Sequence, residues 1–314
     1  MGEQEKLRAK TLSAGFDKIG CDALNIGRKD FAAGTAFLLA LRDSSSFPFI
    51  SANIVDKSSG ELIFEPYKIL ERNSLKFGVI GLTTSLPKHI NDLDVLDPMI
   101  EGKKYLTLLE SQTDYQVILL NAKLEEAAAA KDEFTSAEFI FLSRVTQSPR
   151  QYSKKDNSWP KLYRLGKQGK ALAIVKIRSV NPDSSLVNIT SVKNRETFLH
   201  NRLEFMSRKD TTKTLEELYS DKPKKLAQIK QTRKELANAR EKLKYHKNTF
   251  EFNFVSMNKK IDDDPTLLSM VNETLAACDR LAVPNRSHRS VIKSELDPAI
   301  KKEIENSFKS KSLN

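Results

Sequence analysis

The chain has 314 residues and a mass of 35.5 kDa, enough for one large domain or two smaller ones with a buried core. Its 39% hydrophobic and 8% aromatic residues exclude a fully disordered chain, and no apolar run reaches the roughly eighteen residues of a membrane span. Two cysteines, Cys21 and Cys278, are too few for a disulfide scaffold or a cysteine-based zinc site, and their redox state stays open. The charged N-terminus lacks an apolar stretch, so the chain as written predicts no signal peptide.

The positive charge is concentrated in one part of the chain. Of the formal net charge of +11, residues 193–260 carry +9, residues 1–192 carry +3, residues 261–284 carry −4 and residues 285–314 carry +3. The change in charge coincides with a change from short apolar runs to helical spacing. We therefore predict an α/β domain over residues 1–192, a basic helical region over 193–284 and a polar tail over 285–314.

The first part has the pattern of strands flanked by helices, which indicates the α/β class. Runs at 79–82 and 117–120 are apolar on successive residues, which is typical of strands covered on both faces. Residues 56–60 predict a turn in which Gly60 takes a positive φ. The predicted helices are 31–41 and 123–131, and the predicted strands are 22–26, 49–55, 67–70, 75–82, 117–120, 139–142 and 171–180.

The second part has the spacing of two helices, 194–219 and a longer one that starts near Pro223. Ile229, Leu236 and Leu243 recur every seven residues, as in a coiled coil. We predict an antiparallel hairpin, with a protein partner or self-association through this seam. Nucleic-acid binding is disfavoured, because lysines are mixed with glutamates and aromatic residues for base stacking are lacking. A strand and a further helix follow, marked by Phe250, Phe252, Phe254 and Pro265.

Three blocks in the first part resemble one family. They are residues 19–27 (IGCDALNIG), 47–55 (FPFISANIV) and 76–84 (KFGVIGLTT). They are similar to GYDAVAIGNHEF, FPFLSANI and VKVGVIGLTT in the N-terminal domain of 5′-nucleotidases, which are calcineurin-like metallophosphoesterases. A weaker likeness continues to about residue 180, so it covers a little over half of the chain. The resemblance implies a mixed-sheet α/β fold, two-metal hydrolysis of phosphoesters and a periplasmic location in bacteria, although the chain as written is also compatible with the cytoplasm.

The positions that carry the family's metal ligands differ in this chain. Where the family has GNHE, Arg28 replaces the ligand Asn and Lys29 replaces the His. Three further family histidines correspond to Ala122, Arg144 and Thr146. The family's opening Asp-x-His and Gly-Asp motifs would precede the first residue. These replacements predict a pseudoenzyme that keeps the fold and lacks the catalyst, with no metal and no other cofactor.

Relatives joined to multihaem cytochromes offer a second comparison. These bacterial nucleotidase-like domains carry a GxKDLAxG segment that is similar to residues 27–34. No Cys-x-x-Cys-His occurs here, which excludes covalent c-type haem. Metal-ligand spacing is also absent from the scattered histidines, which are His89, His200, His246 and His288.

Three hypotheses follow from these observations. The first is a non-catalytic binding or scaffold protein whose helical hairpin mediates assembly. Candidates for an anion site at the former metal position are Arg28, Lys29 and Arg144, although the sequence favours a solvated loop without a ligand there. The second is a hydrolase of nucleotides or other phosphoesters with atypical metal ligands, for which the remaining polar positions are Asp22, Asp30 and Asn53. The third is nucleic-acid binding through the basic helices. The first hypothesis leads because it requires no undetected chemistry.

Overall fold

A computed structural model of the chain describes residues 2–145, 150–151, 159–182 and 184–281. Thr146 and the predicted tail lie outside the described residues. The helices are α1 (Glu3–Ile19), α2 (Thr35–Ser44), α3 (Pro98–Leu109), α4 (Leu124–Glu133), α5 (Thr190–Ser207), α6 (Leu215–Leu218), α7 (Pro223–Tyr245) and α8 (Pro265–Leu281). The strands are β1 (Leu24–Asn25), β2 (Phe49–Ile50), β3 (Ile54–Asp56), β4 (Tyr67–Arg72), β5 (Leu75–Thr83), β6 (Leu93–Val95), β7 (Tyr115–Asn121), β8 (Phe139–Ser143), β9 (Arg150–Gln151), β10 (Lys161–Arg164), β11 (Ala171–Arg178), β12 (Val187–Asn188) and β13 (Thr249–Ser256).

The chain forms two compact units, and the first consists of Met1–Lys18 with Asp263–Asn314. Its described part is a pair of helices, α1 and α8. Gln4 Nε2 donates a hydrogen bond to the Cys278 backbone carbonyl at 2.6 Å. Two backbone N–H groups at the start of α8 donate to Asp264 Oδ1, which caps the helix that was predicted near Pro265. Cys278 is buried in this unit and Cys21 is half-buried in the chain that follows α1; neither cysteine forms a disulfide.

The second unit, Ile19–Asp262, is built around a six-stranded mixed sheet. Its strand order is β4-β5-β7-β8-β10-β9; β5, β7, β8 and β10 are parallel, and the two outer strands are antiparallel to their neighbours. One face packs against α3 and α4 in a core that includes Leu82, Leu120 and Phe134. On the opposite face Val117 and Leu119 are only partly buried. The prediction that 117–120 is covered on both faces is therefore correct for one face and only partly correct for the other.

A three-stranded sheet of order β11-β13-β12 packs against that second face. The contacts are aromatic: Phe252 stacks on Tyr163 with ring centroids 3.5 Å apart, and Phe250 meets Phe139 edge-on at 5.2 Å. The predicted strand with alternating phenylalanines is confirmed as β13, which pairs with β11 along its whole length. This sheet therefore spans residue 192, where the shift in charge suggested a domain boundary.

The basic region forms the predicted antiparallel hairpin, in which α5 packs beside α7. Exposed ion pairs join the two helices, at Arg195–Glu235 and Arg240–Glu196. In the heptad seam, Ile229 and Leu236 are buried and Leu243 is half-buried. The seam is thus filled largely by side chains of the same chain, as expected for intramolecular packing. Self-association through it stays a prediction.

Several elements differ from the sequence-based predictions. The predicted strand 49–55 is two strands, because β2 pairs with β1 whereas β3 pairs with β6. The predicted helix 31–41 begins with a single 3₁₀ turn, Asp30–Ala33, and the predicted helix 194–219 is divided into α5 and α6. The patterns did not indicate α1, α3 or the short strands β6, β9, β10 and β12. Gly60 has the predicted positive φ, 72°. Within the described residues no helix has the length and apolar character of a membrane span.

Candidate functional site

Polar side chains meet where three parallel strands of the large sheet end. Thr83, Asn121 and Ser143 are the last residues of β5, β7 and β8, and they lie opposite one another in register. Asn121 Nδ2 donates to Ser143 Oγ at 2.8 Å, and its Oδ1 accepts the backbone N–H of Arg28 at 3.2 Å. The turn that follows β1 is therefore held against the ends of β7 and β8. This edge is where open α/β sheets commonly bind ligands.

Gly27 is required for this close approach. A Cβ atom at position 27 would lie 2.4 Å from Asn121 Nδ2, closer than real Cβ contacts. Two residues earlier, Asn25 Nδ2 donates to the backbone carbonyls of Leu82 and Leu119 at 3.1 and 2.8 Å. The turn that carries Arg28 is thus fixed on both sides by side-chain amides.

Two guanidinium groups converge on the loop formed by residues 84–86, which follows β5 (the 84–86 loop). Arg144 Nη1 donates to Ser85 Oγ at 2.8 Å, and Arg28 Nε donates to the Leu86 backbone carbonyl at 3.3 Å. Arg144 has a φ of 68°, an uncommon conformation for a residue with a Cβ atom, and it directs the chain away from β8. The structure therefore brings together two of the three predicted anion-binding residues.

Both signs of charge meet at the 84–86 loop. Arg144 Nη1 also lies 3.3 Å from Thr84 Oγ1, and that hydroxyl donates to Glu126 Oε2 at 2.8 Å. The same carboxylate oxygen accepts the backbone N–H of Lys123 at 2.7 Å. Lys29, the third predicted cation, is exposed on the turn after β1. An anion at this loop would be attracted by the cations and opposed by Glu126.

Two acidic positions of the hydrolase alternative are engaged in structural contacts. The carboxylate of Asp22 makes a bidentate ion pair with Arg72 Nη2, at 2.6 and 2.7 Å. Asp30 Oδ2 accepts the backbone N–H of Gly27 at 2.7 Å. Although Asp30 is exposed as a residue, desolvation of its carboxylate raises its pKa above the ordinary value, and the Gly27 hydrogen bond opposes this shift.

The third position, Asn53, is fully buried and ties strand ends together. Its Nδ2 donates to the backbone carbonyls of Thr83 and Leu96 at 2.7 and 2.9 Å. Its Oδ1 accepts the Thr83 N–H at 3.1 Å. Both ends of the amide therefore bond to backbone, which is the arrangement expected of a structural residue.

The other replaced positions offer few metal donors. Ala122 is fully buried, and Thr146 lies outside the described residues. His89 Nε2 lies 3.1 Å from the backbone carbonyl of Phe31, a contact within the fold. Across the described part of the chain, no group of three or more His, Cys, Asp or Glu side chains could hold a metal ion.

Four residues of the site were not singled out by the sequence analysis. Each lies just after the end of a predicted strand, and each gains its contact in the site from a residue distant in sequence: Thr84, Ser85, Asn121 and Ser143. The sequence offered one signal for them, since polar residues follow closely after buried apolar runs. That signal marks the sheet edge without indicating which side chains meet there.

Comparison with curated proteins finds relatives over one third of the chain. A 5′-nucleotidase of Vibrio cholerae serotype O1 is 36% identical over 111 residues, which are 33% of this chain and 20% of that protein. Protein UshA of Escherichia coli K12 is 34% identical over 114 residues, 34% of this chain and 20% of UshA. About one third of the chain is similar in sequence to 5′-nucleotidases. The chain spans about one fifth of the length of these curated relatives, and no protein-family model matches it.

Solved structures agree on the fold of this 5′-nucleotidase relative. The calcineurin-like phosphoesterase YfkN of Bacillus subtilis aligns with a TM-score of 0.55 and 12% identity, over 88% of this chain and 77% of YfkN. A 5′-nucleotidase, described as putative, from Staphylococcus aureus aligns with a TM-score of 0.53 and 14% identity, over 85% of this chain and 44% of that chain. The predicted α/β fold, a metallophosphoesterase-like mixed-sheet domain followed by a helical region, is confirmed.

Proposed function

We propose that this 5′-nucleotidase relative is a non-catalytic binding protein that holds a phosphate-type anion at the 84–86 loop. One observation carries the proposal: Arg28 and Arg144 reach the same loop at the strand ends, where the resemblance implies metal ligands in the family. Guanidinium groups recognise phosphate through paired N–H donors. Lys29, exposed on the adjoining turn, would add a third positive charge.

The same cations oppose metal binding. A unit cation and a divalent ion 4 Å apart repel by roughly 8 kcal/mol at an effective dielectric constant of about 20. The polar side chains that would have to compensate already bond within the protein, as Asp22 does with Arg72 and Asn53 does with backbone. A two-metal centre would therefore require these contacts to break and the guanidinium groups to move.

The names of the relatives suggest which anion to test. Because they are 5′-nucleotidases, a nucleoside 5′-monophosphate is the first organic phosphate to compare with inorganic phosphate. Glu126, which accepts the hydroxyl hydrogen of Thr84, would repel a dianion at close range. The three cations still outnumber this single carboxylate, so we expect the phosphate dianion to bind more tightly than the monoanion and the affinity to fall as the pH drops below the second pKa of phosphate.

Calorimetric titration of the full chain with inorganic phosphate and with adenosine 5′-monophosphate tests the proposal. Arg144→Asn is the informative variant, because asparagine tolerates the positive φ at this position while removing the guanidinium group. We expect it to weaken binding at least tenfold. Arg208→Asn is the matched control: its guanidinium group pairs with Glu204 on an exposed helix face, and binding should not change.

Metal analysis separates this proposal from the hydrolase alternative. After incubation with Mn²⁺ and Zn²⁺ and desalting, we expect far less than one ion per chain. About two ions per chain, with phosphoester turnover that Asp30→Ala abolishes, would overturn the pseudoenzyme interpretation.

A scaffold role and a periplasmic location belong to the same proposal. The scaffold role is supported by the helical hairpin, which adds an exposed helical surface beside the phosphoesterase-like sheets. The location rests on the resemblance to the family and remains a prediction. Binding of nucleic acid to the hairpin is not favoured, since several of its cations pair with glutamates, among them Arg195, Arg233 and Arg240.

A further inference from the structure

The six-stranded and three-stranded sheets, which pack face to face, differ in width, and a cleft opens beside the narrower one. The cleft has a volume of about 770 Å³. Phe77, Val79 and Val117 of the six-stranded sheet line one side, and Val175 and Ile177 of β11 line the other. Most of these side chains are partly buried and pack against the aromatic core between the sheets. The cleft is therefore an extension of that core that the described chain leaves open.

β11 forms the edge of its sheet beside this cleft, and among the described residues it pairs only with β13. Lys170, just before β11, and Met257, just after β13, form a hydrogen-bonded pair, in which the Met257 backbone N–H donates to the Lys170 carbonyl at 3.0 Å. Hydrogen bonding alternates by residue in an antiparallel ladder, so even-numbered residues of β11 bond to β13. The N–H and C=O groups of Ala173, Val175 and Ile177 consequently point to the open edge, and the same residues pack into the core.

The chain that leads into and forms this edge is basic. Residues 167–178 contain four Lys or Arg and no Asp or Glu. Arg178 lines the cleft together with Arg72, and Arg72 is paired with Asp22. Lys176 lies opposite Glu251 across the sheet. The net charge of the side chains along the β11 edge is therefore positive.

We infer that the cleft docks an extended strand of another polypeptide in which apolar and acidic residues alternate. Side chains alternate between the two faces of a strand, so one set would fill the apolar cleft and the other would face the basic segment. The strand's backbone would pair with the open edge of β11, as in other complexes formed by strand addition. A small apolar ligand would fill the cleft and leave that edge unpaired. This inference does not depend on the anion site.

A labelled peptide of about twelve alternating Val and Glu residues provides the probe, titrated into the full chain and followed by fluorescence anisotropy. We expect saturable binding. A scrambled peptide of the same composition, and the alternating peptide with N-methyl groups on every second residue, should bind at least tenfold more weakly. Equal binding of the scrambled peptide would overturn the inference, because it would show a non-specific apolar or charge contact.

Val175→Pro tests the edge directly. Proline removes the N–H that points to the open edge and leaves the ladder to β13 in place, so we expect a folded protein with at least tenfold weaker peptide binding. Ile174→Ala is the control, since that side chain is exposed on the outer face of β11 and binding should not change.

Hydrogen exchange of the unaltered chain provides a test that does not depend on whether Val175→Pro folds. In the unaltered chain, the amides of Ala173, Val175 and Ile177 should exchange rapidly and become protected when the peptide is added. Amides of the even-numbered residues should be protected in both states. Protection of the odd-numbered amides without peptide, rising with protein concentration, would identify a second copy of this chain as the occupant and would overturn the inference.

Discussion

Replacing Asn53 by alanine tests whether this residue is a structural tie or a remnant metal ligand. The substitution removes three hydrogen bonds to backbone, two with Thr83 and one with Leu96. Thr83 is fully buried, so its N–H and C=O would lose their partner without gaining water. Each buried group left unsatisfied costs about 1–3 kcal/mol, and we expect the free energy of unfolding to fall by about 3–5 kcal/mol.

Urea unfolding of the metal-free protein measures this change, with the midpoint and the slope determined separately. Asn258→Ala is the control, since the Asn258 amide makes similar hydrogen bonds to backbone at an exposed position. We expect that control to lose less than about 1 kcal/mol. If Asn53 served only as a metal ligand, replacing it would leave the stability of the metal-free protein almost unchanged. A loss below about 1 kcal/mol for Asn53→Ala would therefore refute the structural assignment.

Three further substitutions test the packing and the electrostatics. Gly102→Ala should destabilise the protein by about 1–3 kcal/mol in urea unfolding despite better helix propensity, because its Cβ would lie 2.5 Å from the Phe134 ring. Burial raises the pKa of Glu138 to about 7, so the stability of the unaltered protein should fall by up to roughly 3 kcal/mol between pH 4.5 and 7. Glu138→Gln should not show this fall in stability, and an equal fall in both proteins would contradict the prediction. Ile229→Ala should cost about 2–4 kcal/mol in thermal or urea unfolding, whereas the exposed Lys230→Ala should be neutral.

The central strands were predictable because a buried strand requires apolar residues, and the sequence shows these directly. Runs such as 79–82 and 117–120 are apolar on successive residues, and the structure places them in the parallel core of the large sheet. The helix α3 was not predictable in the same way. It contains Gly102, which lowers helix propensity. The helix packs on the sheet core, where that position lies so close to the Phe134 ring that a side chain would not fit.

The candidate site was predictable in part. The replacements at positions 28, 29 and 144 are visible in the sequence once the resemblance is drawn. Their meeting at the 84–86 loop is not, because it depends on the in-register ends of β5, β7 and β8. Asn53 is the opposite case, a residue that the sequence suggested for the site and that the structure assigns to a structural role. Its residue type suits a metal ligand, whereas its surroundings commit both ends of the amide to backbone.

By itself, the sequence determined the class of fold, the likeness to 5′-nucleotidases and the basic helical hairpin, and it predicted the replacement of the residues that the resemblance implies as metal ligands. These features depend on residue type and local spacing, which the chain carries explicitly. The tertiary structure alone decided which polar groups meet at the strand ends, that the seam of the hairpin is filled from within, and that β11 has an open edge. Those features depend on which strands become neighbours, since a backbone group or an amide acquires its role from a partner that lies far away along the chain.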